Sequence, residues 1–171
     1  MAKNIVLTGL MGSGKSTVGS LIAQKLGKIF VDTDKLIEED AQININEIFA
    51  QYGEAYFREL EAKIIKRVSP NSDQVISTGG GTLINPDNLK NLKDNGALFY
   101  LKASAKTLFE RIKNENNRPL LKNNDPLSTL EKLLEKREEF YNQADFIINT
   151  ENKQIDRIVS EIIEKYRDNN E

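Results

Sequence analysis

The stretch Gly9-Leu10-Met11-Gly12-Ser13-Gly14-Lys15-Ser16 constrains this chain more than any other. It satisfies G-x-x-x-x-G-K-[ST] at every fixed position, the pattern of a phosphate-binding loop. Its flanks fit as well. The apolar run Ile5-Val6-Leu7 predicts a buried strand before it. Val18, Leu21, Ile22 and Leu26 share one helical face after it, predicting a helix over Thr17 to Leu26. In such a turn the glycines let backbone N–H groups point inward as an anion nest, and the helix N-terminus adds partial positive charge. Gly12, Ser13, Gly14, Lys15, Ser16 and Thr17 are the candidate contacts to a nucleoside triphosphate. Lys15 is expected to reach the β- and γ-phosphates, and the Ser16 hydroxyl to ligate Mg2+. The motif specifies the nucleotide and leaves the acceptor open.

The rest of the chain is compatible with one α/β domain over residues 1–171. Further short apolar runs occur at Ile29-Phe30-Val31, Val75-Ile76-Ser77, Ala97 to Leu101 and Phe146-Ile147-Ile148. Amphipathic stretches separate or follow them: Asn46 to Val68, Pro86 to Asn95, Ala105 to Asn114, Leu127 to Tyr141 and Gln154 to Tyr166. This alternation predicts a three-layer α/β/α arrangement around a five-stranded parallel sheet. Ligands of such sheets sit at the carboxyl ends of the strands. Asn114 to Pro126, rich in Asn and broken by two prolines, should not be helical throughout. It suits a surface loop or a lid carrying Arg118 over the phosphates.

Composition narrows the chemistry. The chain has neither Cys nor His, which removes thiol and imidazole catalysis and leaves oxygen ligands for any metal, as Mg2+ prefers. A formal net charge of −2 gives no reason to expect nucleic-acid or basic membrane-surface binding. No apolar run has transmembrane length and no long signal-type leader begins the chain, so a cytoplasmic protein is expected. GTPases are set aside because no D-x-x-G occurs. Val75-Ile76-Ser77-Thr78 runs into Gly79-Gly80-Gly81 without the Asp that ends the corresponding strand of many ATPases. Asp32 and Asp34 instead follow the second strand. Asp32 could hold Mg2+ directly or through water, Asp34 could orient an acceptor hydroxyl or take its proton, and either could simply cap the helix starting near Lys35. The three glycines suit close approach to a ligand, an anion nest or a flexible turn. Arg58, Arg118 and Arg137 taken singly are ordinary surface arginines, and Arg58 has Glu54 and Glu61 at helical ion-pair spacing. Together on one cleft they would form a carboxylate or phosphate clamp.

Taken in order, these elements resemble the shikimate kinase family over essentially the whole chain. The resemblance is carried by Gly9 to Thr17, Asp32-Thr33-Asp34, Glu47-Ile48-Phe49, Gly53-Glu54, Phe57-Arg58-Glu59-Leu60-Glu61, Thr78-Gly79-Gly80-Gly81, Arg118-Pro119-Leu120-Leu121, and Arg137 with Tyr141. It implies transfer of the ATP γ-phosphoryl to the 3-hydroxyl of shikimate, in aromatic amino-acid biosynthesis. It further implies an acceptor-binding segment over about 33–62, a lid over about 113–125 and a monomer. By the same resemblance Asp34, Phe57, Arg58, Gly79, Gly80, Gly81 and Arg137 bind shikimate. Lys15, Asp34 and Arg118 act in catalysis, Ser16 and Asp32 serve Mg2+, and Arg111 stacks on adenine. Gln42 and Asn44 depart from the small residues usual before Glu47-Ile48-Phe49, in a segment expected to be helical. A gluconate kinase and an ATP-binding regulatory module without transfer activity are the alternatives.

Overall fold

The computed structural model describes residues 3–115 and 122–169. Five strands form one sheet in the order β2-β3-β1-β4-β5, with every pairing parallel. They are β1 (Asn4–Thr8), β2 (Ile29–Asp32), β3 (Gln74–Ser77), β4 (Gly96–Lys102) and β5 (Phe146–Asn149). The central strand β1 is buried along its whole length. Its side chains alternate between two cores, as strand geometry requires. Val6 joins Ile37, Ile48, Phe57, Ile65, Leu92 and Tyr141 on one face. Ile5 and Leu7 join Val18, Ile22, Val159 and Ile162 on the other.

The first face is covered by α2 (Thr33–Ala41), α3 (Ile45–Val68), α4 (Pro86–Asp94), α5 (Ala105–Ile112) and α6 (Pro126–Tyr141). The second is covered by α1 (Lys15–Leu26) and α7 (Ile155–Asp168). This is the three-layer fold expected from the alternation. The chain leaves β1 toward β2 and leaves β3 toward β4, in opposite directions across the sheet. The crevice at the carboxyl ends of β1 and β3 is therefore the topological switch point where such sheets bind ligands.

Local chemistry sets boundaries that the apolar pattern misses. α1 begins at Lys15, before the expected Thr17, because Gly14 takes the left-handed N-cap position with φ 88°. α2 begins at Thr33, before the expected Lys35, because the Asp32 carboxylate accepts from the Asp34 and Lys35 N–H groups at 3.1 and 3.3 Å. Gln42 and Asn44 lie in no continuous helix. Gln42 ends α2 with φ 58°, and Asn44 opens α3 through a reciprocal capping box with Glu47 at 2.9 and 3.0 Å. α3 then breaks at Gly53, whose φ of 82° and ψ of 175° only glycine adopts without strain. No helix among the described residues is long and apolar enough to cross a membrane.

Candidate active site

The loop between β1 and α1 turns through left-handed glycines, Gly12 at φ 81° and Gly14 at φ 88°. It packs against α5 so closely that a Cβ on Gly12 would lie 2.9 Å from the Leu108 carbonyl oxygen. Lys15 Nζ folds back over this loop and donates to the Gly9 carbonyl at 2.7 Å, the Leu10 carbonyl at 3.2 Å and Ser13 Oγ at 3.3 Å. The ammonium thus stands where an incoming phosphate can take it from carbonyl acceptors. Ser16 Oγ donates to Asp32 Oδ2 at 3.1 Å, so the two expected metal-side residues meet at the head of α1. Asp32 Oδ1 caps α2 while Oδ2 accepts from Ser16 Oγ.

Asp34 does not cap a helix. It sits in the first turn of α2 with Oδ1 fully buried and, among the described residues, without a hydrogen-bond partner. Burial pushes its pKa up to about 6. The Asp32 charge adds to that shift, Lys15 opposes it, and Glu61 and Glu38 raise it further. Opposite stands the Gly79-Gly80-Gly81 turn after β3. None of the three has a positive φ, so backbone freedom does not explain them and an alternating nest is not formed. Space does. A Cβ on Gly79 would stand 2.9 Å from both Asp34 Oδ1 and Glu61 Oε2. One on Gly80 would stand 3.0 Å from Arg137 Nη1, and one on Gly81 would overlap the Arg58 guanidinium. Each glycine makes room for different polar side chains, two at Gly79 and one each at Gly80 and Gly81.

Arg58 is fixed by the pairs its spacing suggested, to Glu61 at 2.8 Å and to Glu54 at 3.4 Å. Its guanidinium also lies 5.2 Å from the centre of the Phe57 ring, which packs on Phe49 at 4.8 Å. Glu61 is more than a surface partner. It is 1% exposed and accepts from Thr82 Oγ1 at 2.7 Å while pairing with Arg58. The sequence holds a signal for it, because Glu61 falls on the buried stripe of Phe57, Ile64, Ile65 and Val68, where an acid needs a partner. Reading single arginines as surface groups overlooked that signal.

Arg111, on α5, reaches back to the phosphate loop. It donates to the Gly12 carbonyl at 3.2 Å and to the Thr150 carbonyl at 3.2 Å. Beside it a smaller cleft of about 160 Å³ is lined by Ser13, Thr17, Lys153 and Ile155. The main cleft, about 510 Å³, runs from Gly14, Lys15, Ser16 and Thr17 past Asp32 and Asp34 to Phe57, Arg58, Gly79, Gly80, Gly81 and Arg137. That size suits a small-molecule site. Arg118, Pro119, Leu120 and Leu121, the heart of the expected lid, lie outside the described residues. Among the described residues no cluster of three or more Cys, His, Asp or Glu could hold a metal without help from a ligand.

A parallel sheet with a phosphate loop at its switch point and a second polar pocket beside it defines a P-loop kinase of the nucleoside monophosphate kinase-like group. The family model described as "Shikimate kinase" matches residues 11–167. The chain belongs to the shikimate kinase family, whose members are ATP-dependent phosphotransferases. A shikimate kinase of Thermodesulfovibrio yellowstonii is 46% identical over 164 residues, covering 96% of this chain and 95% of that protein. One of Caldicellulosiruptor bescii is 50% identical over 149 residues, covering 87% of each. Shikimate kinase from Acinetobacter baumannii, solved in complex with shikimate, superposes with a TM-score of 0.94 at 32% identity, covering 99% of this chain and 95% of that one. A gluconokinase from Sinorhizobium meliloti, at 19% identity and a TM-score of 0.61, covering 97% and 92%, marks the shared fold.

Proposed function

We propose that the chain transfers the γ-phosphoryl of ATP to the 3-hydroxyl of shikimate, giving shikimate 3-phosphate and ADP. The observation that carries this reading is the meeting of Asp34, Arg58 and Arg137 at the triple-glycine turn, in a cleft continuous with the phosphate loop. Two arginines at one end of a pocket suit a carboxylate, whose two oxygens match the guanidinium fork. Phe57 gives the ring of the acceptor an apolar wall. Asp34, once ionised, accepts the hydrogen of the reacting hydroxyl and orients its oxygen toward the γ-phosphorus. As that P–O bond forms, the bond from γ-phosphorus to the β–γ bridging oxygen breaks, the hydroxyl proton passes to Asp34, and ADP leaves.

Lys15 exchanges the Gly9 and Leu10 carbonyls for phosphate oxygens and stabilises charge on the transferring group. The backbone N–H groups of residues 12–17 hold the β-phosphate, and Arg111, which the resemblance stacks on adenine, lines the smaller cleft. The family resemblance gives Arg118 a second cationic role over the phosphates. The Ser16 and Asp32 oxygens fit Mg2+, which requires hard oxygen donors and completes its shell with phosphate and water. When bound, the ion supplies charge neutralisation of the β- and γ-phosphates. Use of ATP supports action in the cytoplasm, and the family resemblance implies a monomer.

The test is ADP release from ATP and Mg2+ with shikimate, gluconate, AMP or no acceptor. Release dependent on shikimate alone is expected. Release with gluconate or AMP would reassign the acceptor pocket, and ATP binding without release under any condition would make the chain a nucleotide-binding module.

A further inference from the structure

Tyr141 lies on α6 four residues after Arg137, one helical turn along the same face. It is 1% exposed, and its ring stacks on Tyr100 with centroids 4.9 Å apart. A residue this buried could serve packing alone. Its hydroxyl, however, reaches the triple-glycine turn and donates to the Gly80 carbonyl at 2.6 Å. The point where a Gly80 Cβ would sit is 3.0 Å from Arg137 Nη1 and 3.7 Å from the Tyr141 oxygen, so turn, guanidinium and phenol converge. Burial pushes the phenol pKa up to about 12, while the charge of Arg137 and hydrogen bonding to it pull the other way. The phenol is thus a neutral O–H throughout the working pH range, and the guanidinium is near enough to act on its oxygen.

The polarity of these three groups lets the phenol bridge the other two. A carbonyl only accepts and a guanidinium only donates, so neither can hold the other through a donor-only or acceptor-only side chain. A hydroxyl can do both. Its proton goes to Gly80, which leaves its lone pairs open to the Arg137 guanidinium. We propose that Tyr141 is a positioning residue for acceptor binding, its hydroxyl registering the Arg137 guanidinium against the triple-glycine turn so that the shikimate carboxylate meets a preset fork. This rests on the shikimate kinase reading and adds a residue to it. Tyr100 supports the arrangement from behind by fixing the plane of the Tyr141 ring.

The experiment is steady-state kinetics of Tyr141→Phe with shikimate and with its methyl ester, which has lost the carboxylate charge. Removing one hydroxyl keeps the ring and its stack. We expect the KM for shikimate to rise about tenfold, the scale of one lost hydrogen bond at a preorganised charge. The KM for ATP and kcat at saturating shikimate should stay within about twofold, and the preference for free acid over ester should shrink with the rise in KM. An unchanged KM for shikimate, or equal losses for acid and ester, would overturn the proposal.

A second arm uses Arg137→Ala as background. With the guanidinium gone, adding Tyr141→Phe should cost no further shikimate affinity by calorimetric titration, whereas additive losses would assign Tyr141 to packing. Failure of the kinase reading would show separately, as a parent chain that releases no ADP on addition of shikimate, and it would remove the proposal with it.

Discussion

Asp34 and Glu61 both present an oxygen to the space Gly79 leaves open, yet they are held in opposite ways. Each Glu61 oxygen has a donor, Arg58 on one and Thr82 on the other. Asp34 Oδ1 has none among the described residues, and its pKa rises from 3.8 to about 6. A carboxylate kept without donors is a better acceptor for a hydroxyl proton, at a cost in stability. Because the folded pKa is the higher one, the folded state binds more protons between these values. The penalty is absent below pH 3.8, grows as pH rises toward 6 and is complete above it. Its size at neutral pH is about 2 to 3 kcal/mol. Asp34→Asn should therefore raise Tm at pH 7.5 and lose that advantage below pH 4, while kcat collapses. A variant with unchanged Tm at both pH values would remove the buried-charge argument. In the parent, kcat/KM should fall tenfold per unit below an apparent pKa near 6. A profile flat down to pH 5 would take proton acceptance away from Asp34.

At the scale of elements, the site is made where loops meet, and loops differ in how much their own sequence discloses. The phosphate loop is legible because its fixed residues, strand and helix are contiguous. The proposed acceptor pocket draws Arg58 from α3, three glycines from the end of β3 and Arg137 from α6. No local pattern joins them, so the residues taken singly left surface arginines and a flexible turn as live readings, and only family resemblance linked them. The function of the glycines was hidden for the same reason, since the atoms that would collide with a Cβ belong to other elements. Gly81→Ala should fold, because its obstacle is a side-chain end and not backbone. It should displace Arg58 from its pair with Glu61 and raise the KM for shikimate well above any change for ATP. An unaltered shikimate KM would mean that Arg58 does not hold the acceptor where the cleft suggests. The turn between α2 and α3 makes the converse case, because the resemblance marked Gln42 and Asn44 as departures within a helix, whereas Asn44 caps α3. Asn44→Ala should cost about 1 kcal/mol. That corresponds to roughly 2–4 °C in Tm for a chain of this length. The KM for ATP should not move, and a loss of ATP affinity would show that the cap reaches the phosphate loop.

Across the whole molecule, the proposed acceptor segment of about 33–62 is continuous with the core. Ile37 of α2, Ile48 and Phe57 of α3, and Val6 and Ile76 of the central strands belong to one buried cluster. Asp32 links the end of β2 to Ser16 of α1, and Thr33 Oγ1 donates to the Ser77 carbonyl at 3.3 Å, so this segment is also tied to α1 and β3 by polar contacts. A segment anchored in this way cannot expose its apolar face without opening the core that carries the phosphate loop. The chain should therefore unfold as one unit, with calorimetric and van't Hoff enthalpies equal. Ligands give a sharper check than the enthalpy ratio. ATP with Mg2+ at a hundredfold excess over Kd should stabilise by about 2.7 kcal/mol, and saturating shikimate should move the same transition through its own binding energy. In one cooperative unit either ligand shifts the entire heat-absorption peak. If the acceptor segment were a separate folding unit, shikimate would split off a second peak and leave the remainder at the ligand-free temperature, and the single domain over residues 1–171 would have to be divided.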